Sequence, residues 1–158
     1  MNQHILSVLV RNHAGILSKV SGLFSRRGFN IESLAVGVCE IPDCSRMTIV
    51  VNGDEETVDQ VTKQLDKLID VIAIEQLPRN YDVERELIMV KVGCDSACRA
   101  EMLQIAEIFR AKIIDVSHTS LTFELTGQQD KISAFLGMLE PFNIIQTVRT
   151  GLIALQRS

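Results

Sequence analysis

The sequence has no tryptophan, a single tyrosine and three prolines among 158 residues, and no apolar run of the roughly 18 to 20 residues that a membrane span needs. With so few aromatic rings it offers little surface on which unpaired bases could stack. Cations are also in the minority: 16 Lys and Arg stand against 20 Asp and Glu, giving a net charge of −4. That leaves no general basic field for a polyphosphate, so nucleic acid is not an expected partner. The start, MNQHILSVLV, lacks a cationic stretch before its short apolar segment, so neither a secretory leader nor a membrane anchor is expected and the location reads as cytoplasmic. Cysteine is sparse too. Cys39 and Cys44 are separated by four residues and Cys94 and Cys98 by three, unlike both a dense disulfide framework and the two-residue spacing of a zinc ribbon. His4, His13 and His118 are scattered, and no serine sits in a Gly-x-Ser-x-Gly elbow. Neither catalytic nor metal-ligating residues are assigned.

What the chain does have is 46% apolar residues arranged with a clear period. ILSVLV is a strand-like run. Ile16, Leu17, Val20, Leu23 and Phe24 then recur as the buried stripe of a helix, and Gly28 stands where a helix is capped. FNIESLAVGV and SRMTIVVNG read as strands joined through EIPDC. Asp54 can cap a second helix with apolar positions at Val58, Val61, Leu65, Leu68 and Ile69, and VIAIEQL closes the set as a strand. The order is βαββαβ. After PRNYDVERE it begins again: LIMVKV, a helix with Met102, Ile105, Ala106 and Phe109 inward, IIDVSH, SLTFELTG, a helix with Ile132, Phe135, Leu136 and Leu139 inward, then FNIIQTV. The expected fold is α+β, two tandem ferredoxin-like βαββαβ domains, each an antiparallel four-stranded sheet covered by two helices. The boundaries are 1–78, a linker at 79–84, and 85–158. Each sheet has a second face that the helices leave open, so at least a homodimer is expected.

RNHAGILSKV, residues 11–20, leads from the first strand into the first helix. The unpaired N–H groups and positive dipole end of such a helix start can seat a carboxylate or phosphate. The same residue types also suit an ordinary turn, with Asn12 or His13 near the N-cap and Gly15 easing the backbone. Residue types alone leave both readings open.

ILSVLVRNHAGILSKVSGLFSRRGFNIESL, followed by SRMTIVV, resembles the regulatory, or small, subunits of acetolactate synthase (acetohydroxyacid synthase), and RRGFNIESL is the most specific string in it. The resemblance covers nearly the whole chain, with residues 4–78 similar to an ACT domain, a βαββαβ module that senses small molecules. It implies a non-catalytic chain in branched-chain amino-acid biosynthesis that raises the activity of a catalytic large subunit and confers feedback inhibition by valine. It also implies that no cofactor resides here, thiamine diphosphate, Mg2+ and FAD belonging to the large subunit. By the same resemblance the sheets of two chains become continuous. The effector lies between Asn12, Gly15, Ile16 and Leu17 of one chain and Asn30 and Ile31 of the other.

One stretch departs from the family. AVGVCEIP places Val38 and Cys39 where Pro-Thr is usual, which bears on the end of the second strand and on effector choice. In the second half the corresponding turn, GCDSACRAEM, lacks the Asn-x-x-Gly spacing, so no second amino-acid site is expected. Two other readings are a free-standing ACT-type amino-acid sensor acting on another partner, and a ferredoxin-like metal carrier using Cys94 and Cys98. Co-purifying proteins distinguish the first and a metal assay the second.

Overall fold

The computed structural model describes residues 2–78, 80 and 82–158. Along the chain run β1 (Gln3–Arg11), α1 (Ile16–Arg26), β2 (Ile31–Val38), β3 (Cys44–Asn52), α2 (Glu55–Asp66), β4 (Val71–Leu77), β5 (Asp82–Gly93), α3 (Arg99–Phe109), β6 (Lys112–Val116), β7 (Ser120–Gly127), α4 (Gln129–Leu139), β8 (Asn143–Arg149) and β9 (Ile153–Gln156). These are two ferredoxin-like βαββαβ units with antiparallel sheets, ordered β2-β3-β1-β4 in the first and β6-β7-β5-β8 in the second.

In the first unit β1 is central. Its register with β3 sets Leu6 opposite Ile49 and Val8 opposite Met47. These side chains, with Val10 and Val51, meet Val20, Leu23 and Phe24 of α1 and Val58, Val61 and Leu65 of α2 in one core. Each such side chain fully buried contributes about 1.5–3 kcal/mol. Asp54 caps α2 as expected, its Oδ1 accepting the Thr57 N–H at 2.8 Å. At the end of α1, Gly28 takes φ 71° and donates to Ser25 O, while Phe29 donates to Phe24 O and stacks edge-on against the Phe24 ring. That is a Schellman cap with its apolar clasp. It explains why β2 starts at Ile31 and not at Phe29.

The second unit is built likewise. Ile88, Val90 and Val92 of β5 and Leu121, Phe123 and Leu125 of β7 meet Met102, Ile105 and Ala106 of α3 and Ile132, Phe135 and Leu139 of α4. Phe135 packs against both Phe109 and Phe123. At the end of α3 the same cap recurs, with Arg110 donating to Glu107 O and Ala111 to Ala106 O. Here the left-handed residue is Arg110, at φ 58°. Its Cβ makes that conformation costly.

The structure departs from the sequence reading in several places. β9 was not expected, and the compact units are 1–83 together with 152–158, and 84–151, against the expected 1–78 and 85–158. Of the expected linker 79–84, Arg79 and Tyr81 lie outside the described residues, and Asp82 already opens β5. In the first unit Leu152 and Ala154 pack with Ile5, Val50 and Leu77, on the sheet face opposite the helices. Leu152 N–H donates to Ser33 Oγ on β2 at 3.0 Å, and Arg157 Nε donates to Asp82 O at 3.2 Å. The face expected to lie open is thus partly covered by the chain itself. α2 ends at Asp66, so Ile69 falls beyond it and is 89% exposed. Leu17, read as part of the buried stripe, is 47% exposed.

Two expectations follow from this packing. Leu152→Ala, which empties a site only 6% exposed, should cost about 2–3 kcal/mol, while Leu155→Ala, at a side chain 66% exposed, should stay within about 0.5 kcal/mol. Urea midpoints measure both, and equal shifts would contradict the packing of Leu152 against Ile5, Val50 and Leu77. Arg110→Gly should raise stability by about 1 kcal/mol by removing a left-handed Cβ, read as a higher midpoint at unchanged denaturant slope.

Candidate functional site

The turn between β1 and α1 is tied down on both sides. Arg11 N–H donates to Asp70 O at 2.9 Å, and the next residue, Asn12, donates to Asp43 O at 2.8 Å. Gly15 follows as the N-cap, with φ 87° and ψ −5°. Only glycine adopts this backbone without strain. A Cβ there would meet nothing within 4 Å, so the requirement is conformational, and one side of the turn is open. Lys19 N–H closes the first α-helical bond to Gly15 O at 3.0 Å. Ile16 N–H reaches back to His13 O at 3.3 Å, which leaves Leu17 and Ser18 N–H without an intrahelical acceptor. α1 has no side-chain cap and no acid in its first turn. Its positive end faces outward unclaimed.

The side chains sort themselves around that opening. Ile16 is 6% exposed and anchors the turn in the core, while Leu17 projects outward and Asn12 is exposed. Four of the six expected residues, Asn12, Gly15, Ile16 and Leu17, therefore share one turn. The other two lie at the entrance to β2: Asn30 is exposed, and Ile31 is half-buried and paired with Val51. β2 is an edge of its sheet, with Val36 and Val38 exposed along it.

One residue beside the turn gave no sequence signal. Asp70, between α2 and β4, is 6% exposed. Its Oδ2 accepts from Lys19 Nζ at 2.9 Å and its Oδ1 from His13 Nε2 at 2.7 Å. The hydrogen bond from Lys19, followed by that from His13, holds the carboxyl below its ordinary range against the opposing effect of desolvation. His13 and Lys19 precede Asp70 by 57 and 51 positions. Only the fold brings them together.

The second unit repeats the strand-to-helix turn with different chemistry. Asp95 Oδ1 accepts both Ala97 N–H and Cys98 N–H at 3.0 Å, so a carboxylate of the chain binds the backbone just ahead of α3, where the first turn has no side-chain acceptor on its helix start. Those bonds lower the Asp95 pKa, and Asp95 in turn pushes the Cys98 thiol up. A raised thiol pKa disfavours the thiolate that a metal needs, which weighs against the metal-carrier reading. Among the described residues no three His, Cys, Asp or Glu side chains gather into a metal-binding group. A cavity of about 310 Å³ lined by Arg85, Thr126, Gly127, Gln128 and Lys131 opens in this unit and involves none of the six residues. No helix among the described residues is long and apolar enough to cross a membrane.

Comparison with known proteins places this geometry in context. A family model described as an AHAS small subunit-like ACT domain matches residues 6–73, and one described as the small subunit of acetolactate synthase matches residues 85–158. The chain is 49% identical over 154 residues to the acetolactate synthase small subunit of Mycobacterium bovis, covering 98% of this chain and 92% of that protein. It is 48% identical over 155 residues to the probable acetolactate synthase small subunit of Archaeoglobus fulgidus, covering 98% and 97%. The crystal structure of the acetolactate synthase small subunit from Thermotoga maritima superposes with a TM-score of 0.94 at 41% identity, covering 100% of this chain and 99% of that one.

The electrostatics set an acid limit on stability. Hydrogen bonding from Arg46 brings Glu40 from 4.5 to about 2, and Asp54, Asp70 and Asp95 are lowered as well. Carboxyls lowered by folding stabilise fully above their unfolded pKa, and that contribution is lost as pH falls through the folded values. The thermal midpoint should therefore drop as pH falls from 4.5 toward 2. Asp70→Asn should flatten this acid limb more than Glu40→Gln, because the Glu40–Arg46 pair is exposed and screened by solvent. Calorimetry in matched buffers measures the difference.

Proposed function

The chain belongs to the family of acetolactate synthase small subunits, and from that membership we propose that it carries valine feedback to a separate catalytic subunit. It is a regulatory subunit with an ACT domain. On this reading it also raises the activity of the large subunit, which holds the thiamine diphosphate, Mg2+ and FAD, and the complex works in the cytoplasm. The observation that carries the proposal is the contrast between the two strand-to-helix turns. Asp95 takes the N–H groups just ahead of α3, which also carries Glu101 in its first turn, whereas α1 has neither a side-chain cap nor an acidic residue in its first turn.

Valine is placed between two copies of this chain. The Leu17 and Ser18 N–H groups donate to its carboxylate, Gly15 allows the close approach, and Asn12 orients the zwitterion. Ile16 contributes from below, fixing the turn through its buried side chain. Asn30 and Ile31 of the partner subunit complete the pocket, with Ile31 toward the isopropyl group. β2 suits this pairing as a sheet edge, since its free backbone groups can continue the ladder into a second β2. Inhibition requires valine to favour the less active arrangement by a coupling of about 1–3 kcal/mol, and large-subunit binding must then alter valine affinity in return.

Gly15→Asp should abolish valine inhibition of the reconstituted enzyme while leaving activation by the small subunit largely intact, and Asn30→His should do the same. Gly15→Asn is the control. Asn tolerates the left-handed region about as well as Asp, so a difference between the two isolates charge at the carboxylate seat. Full valine inhibition in either Gly15→Asp or Asn30→His would remove the pocket assignment.

A further inference from the structure

We infer that Asp70 is a positioning residue of the effector turn: from outside the pocket it holds the segment around Gly15 in the shape that presents the Leu17 and Ser18 N–H groups to a ligand carboxylate. The inference rests on the effector reading above and deepens it. Three contacts converge on this residue. Its carbonyl takes Arg11 N–H where β1 ends, its Oδ1 takes His13 within the turn, and its Oδ2 takes Lys19 in the first turn of α1. They bracket Gly15, which at φ 87° adds no stiffness of its own and costs more conformational entropy to order than any other residue. Order must therefore come from outside the turn. Of the two segments that supply it, the β2–β3 turn gives a single main-chain acceptor, Asp43 O, whereas Asp70 gives three contacts.

The side-chain contacts have a second consequence. Lys19 reaches out beside the turn, its side chain 57% exposed. Paired with Asp70, its ammonium neither competes with the backbone donors for the ligand carboxylate nor repels the ligand ammonium. The depressed pKa of Asp70 agrees with this geometry, since the hydrogen bonds from Lys19 and His13 favour the ionised carboxyl.

The test uses the full chain with Asp70→Asn, and Asp70→Glu as the conservative variant. Lys19 is solvated in either variant, so no charge is stranded in the core. Isothermal titration with valine, well below the melting temperature, should show the dissociation constant of Asp70→Asn raised about tenfold, as expected if the competent turn falls to about a tenth of the population. Asp70→Glu should recover part of the loss. Without ligand, hydrogen exchange of residues 12–18 should quicken in Asp70→Asn, while amides of β1 and β3 keep their protection. Unchanged valine affinity in Asp70→Asn overturns the inference, as does exchange that quickens equally through the whole first unit, which would mark a purely structural role. If the unaltered chain binds neither valine, leucine nor isoleucine, the effector reading itself fails and this inference with it.

Discussion

Burial on both faces of β1 is the constraint on which the first unit depends. Leu6, Val8 and Val10 point into the helix-covered core, and Ile5 points the other way, toward Val50, Leu77 and Leu152. Because side chains alternate along a strand, a slip of one residue would exchange the two sets, so the register is fixed twice over. A strand held this firmly ends at a definite place. Arg11 is the last residue of β1, and the turn that follows inherits its position from the sheet and not from its own sequence. The exposed donors at the start of α1 are aimed by a core they do not touch.

The two units show how one topology separates into different chemistries. Both make a strand-to-helix turn after their first strand, and both end their first helix in the same kind of cap. In the second unit a single side chain, Asp95, satisfies two turn N–H groups just ahead of α3. In the first unit the acceptors for Arg11 and Asn12 N–H come from afar, the carbonyls of Asp70 and Asp43. Tethers of that kind hold the backbone and leave the donors of the helix start unoccupied. A backbone donor held by a carboxylate of the chain cannot also receive another anion, so the two turns differ in where the tethering oxygen comes from.

Much of this was legible in the chain. Apolar spacing gave eight strands, four helices and the repeat, because periods of 2 and 3.6 are imposed by one-sided burial. Gly28 and Asp54 announced a helix end and a helix start because each acts within a few residues of itself. Ile69 misled because it continues the helical spacing past Asp66, where the helix has already stopped. Leu17 misled because the first turn of a helix can follow the stripe yet stand clear of the core. β9 was missed since IALQ is too short to show a period. Asp70 was missed for a different reason: its partners are more than fifty residues away, and nothing in LIDVIAI points toward them.

The return of residues 152–158 to the first unit makes that unit discontinuous in sequence. A ribosome delivers 1–83 first and must then thread out 84–151 before the covering segment emerges. At about 5–20 residues per second, that leaves Ile5, Val50 and Leu77 without Leu152 for roughly 3 to 14 seconds. During synthesis the first unit is therefore an unfinished module with a bare oily strip. Contact with a neighbouring nascent chain through that strip is disfavoured only once the second unit has been made.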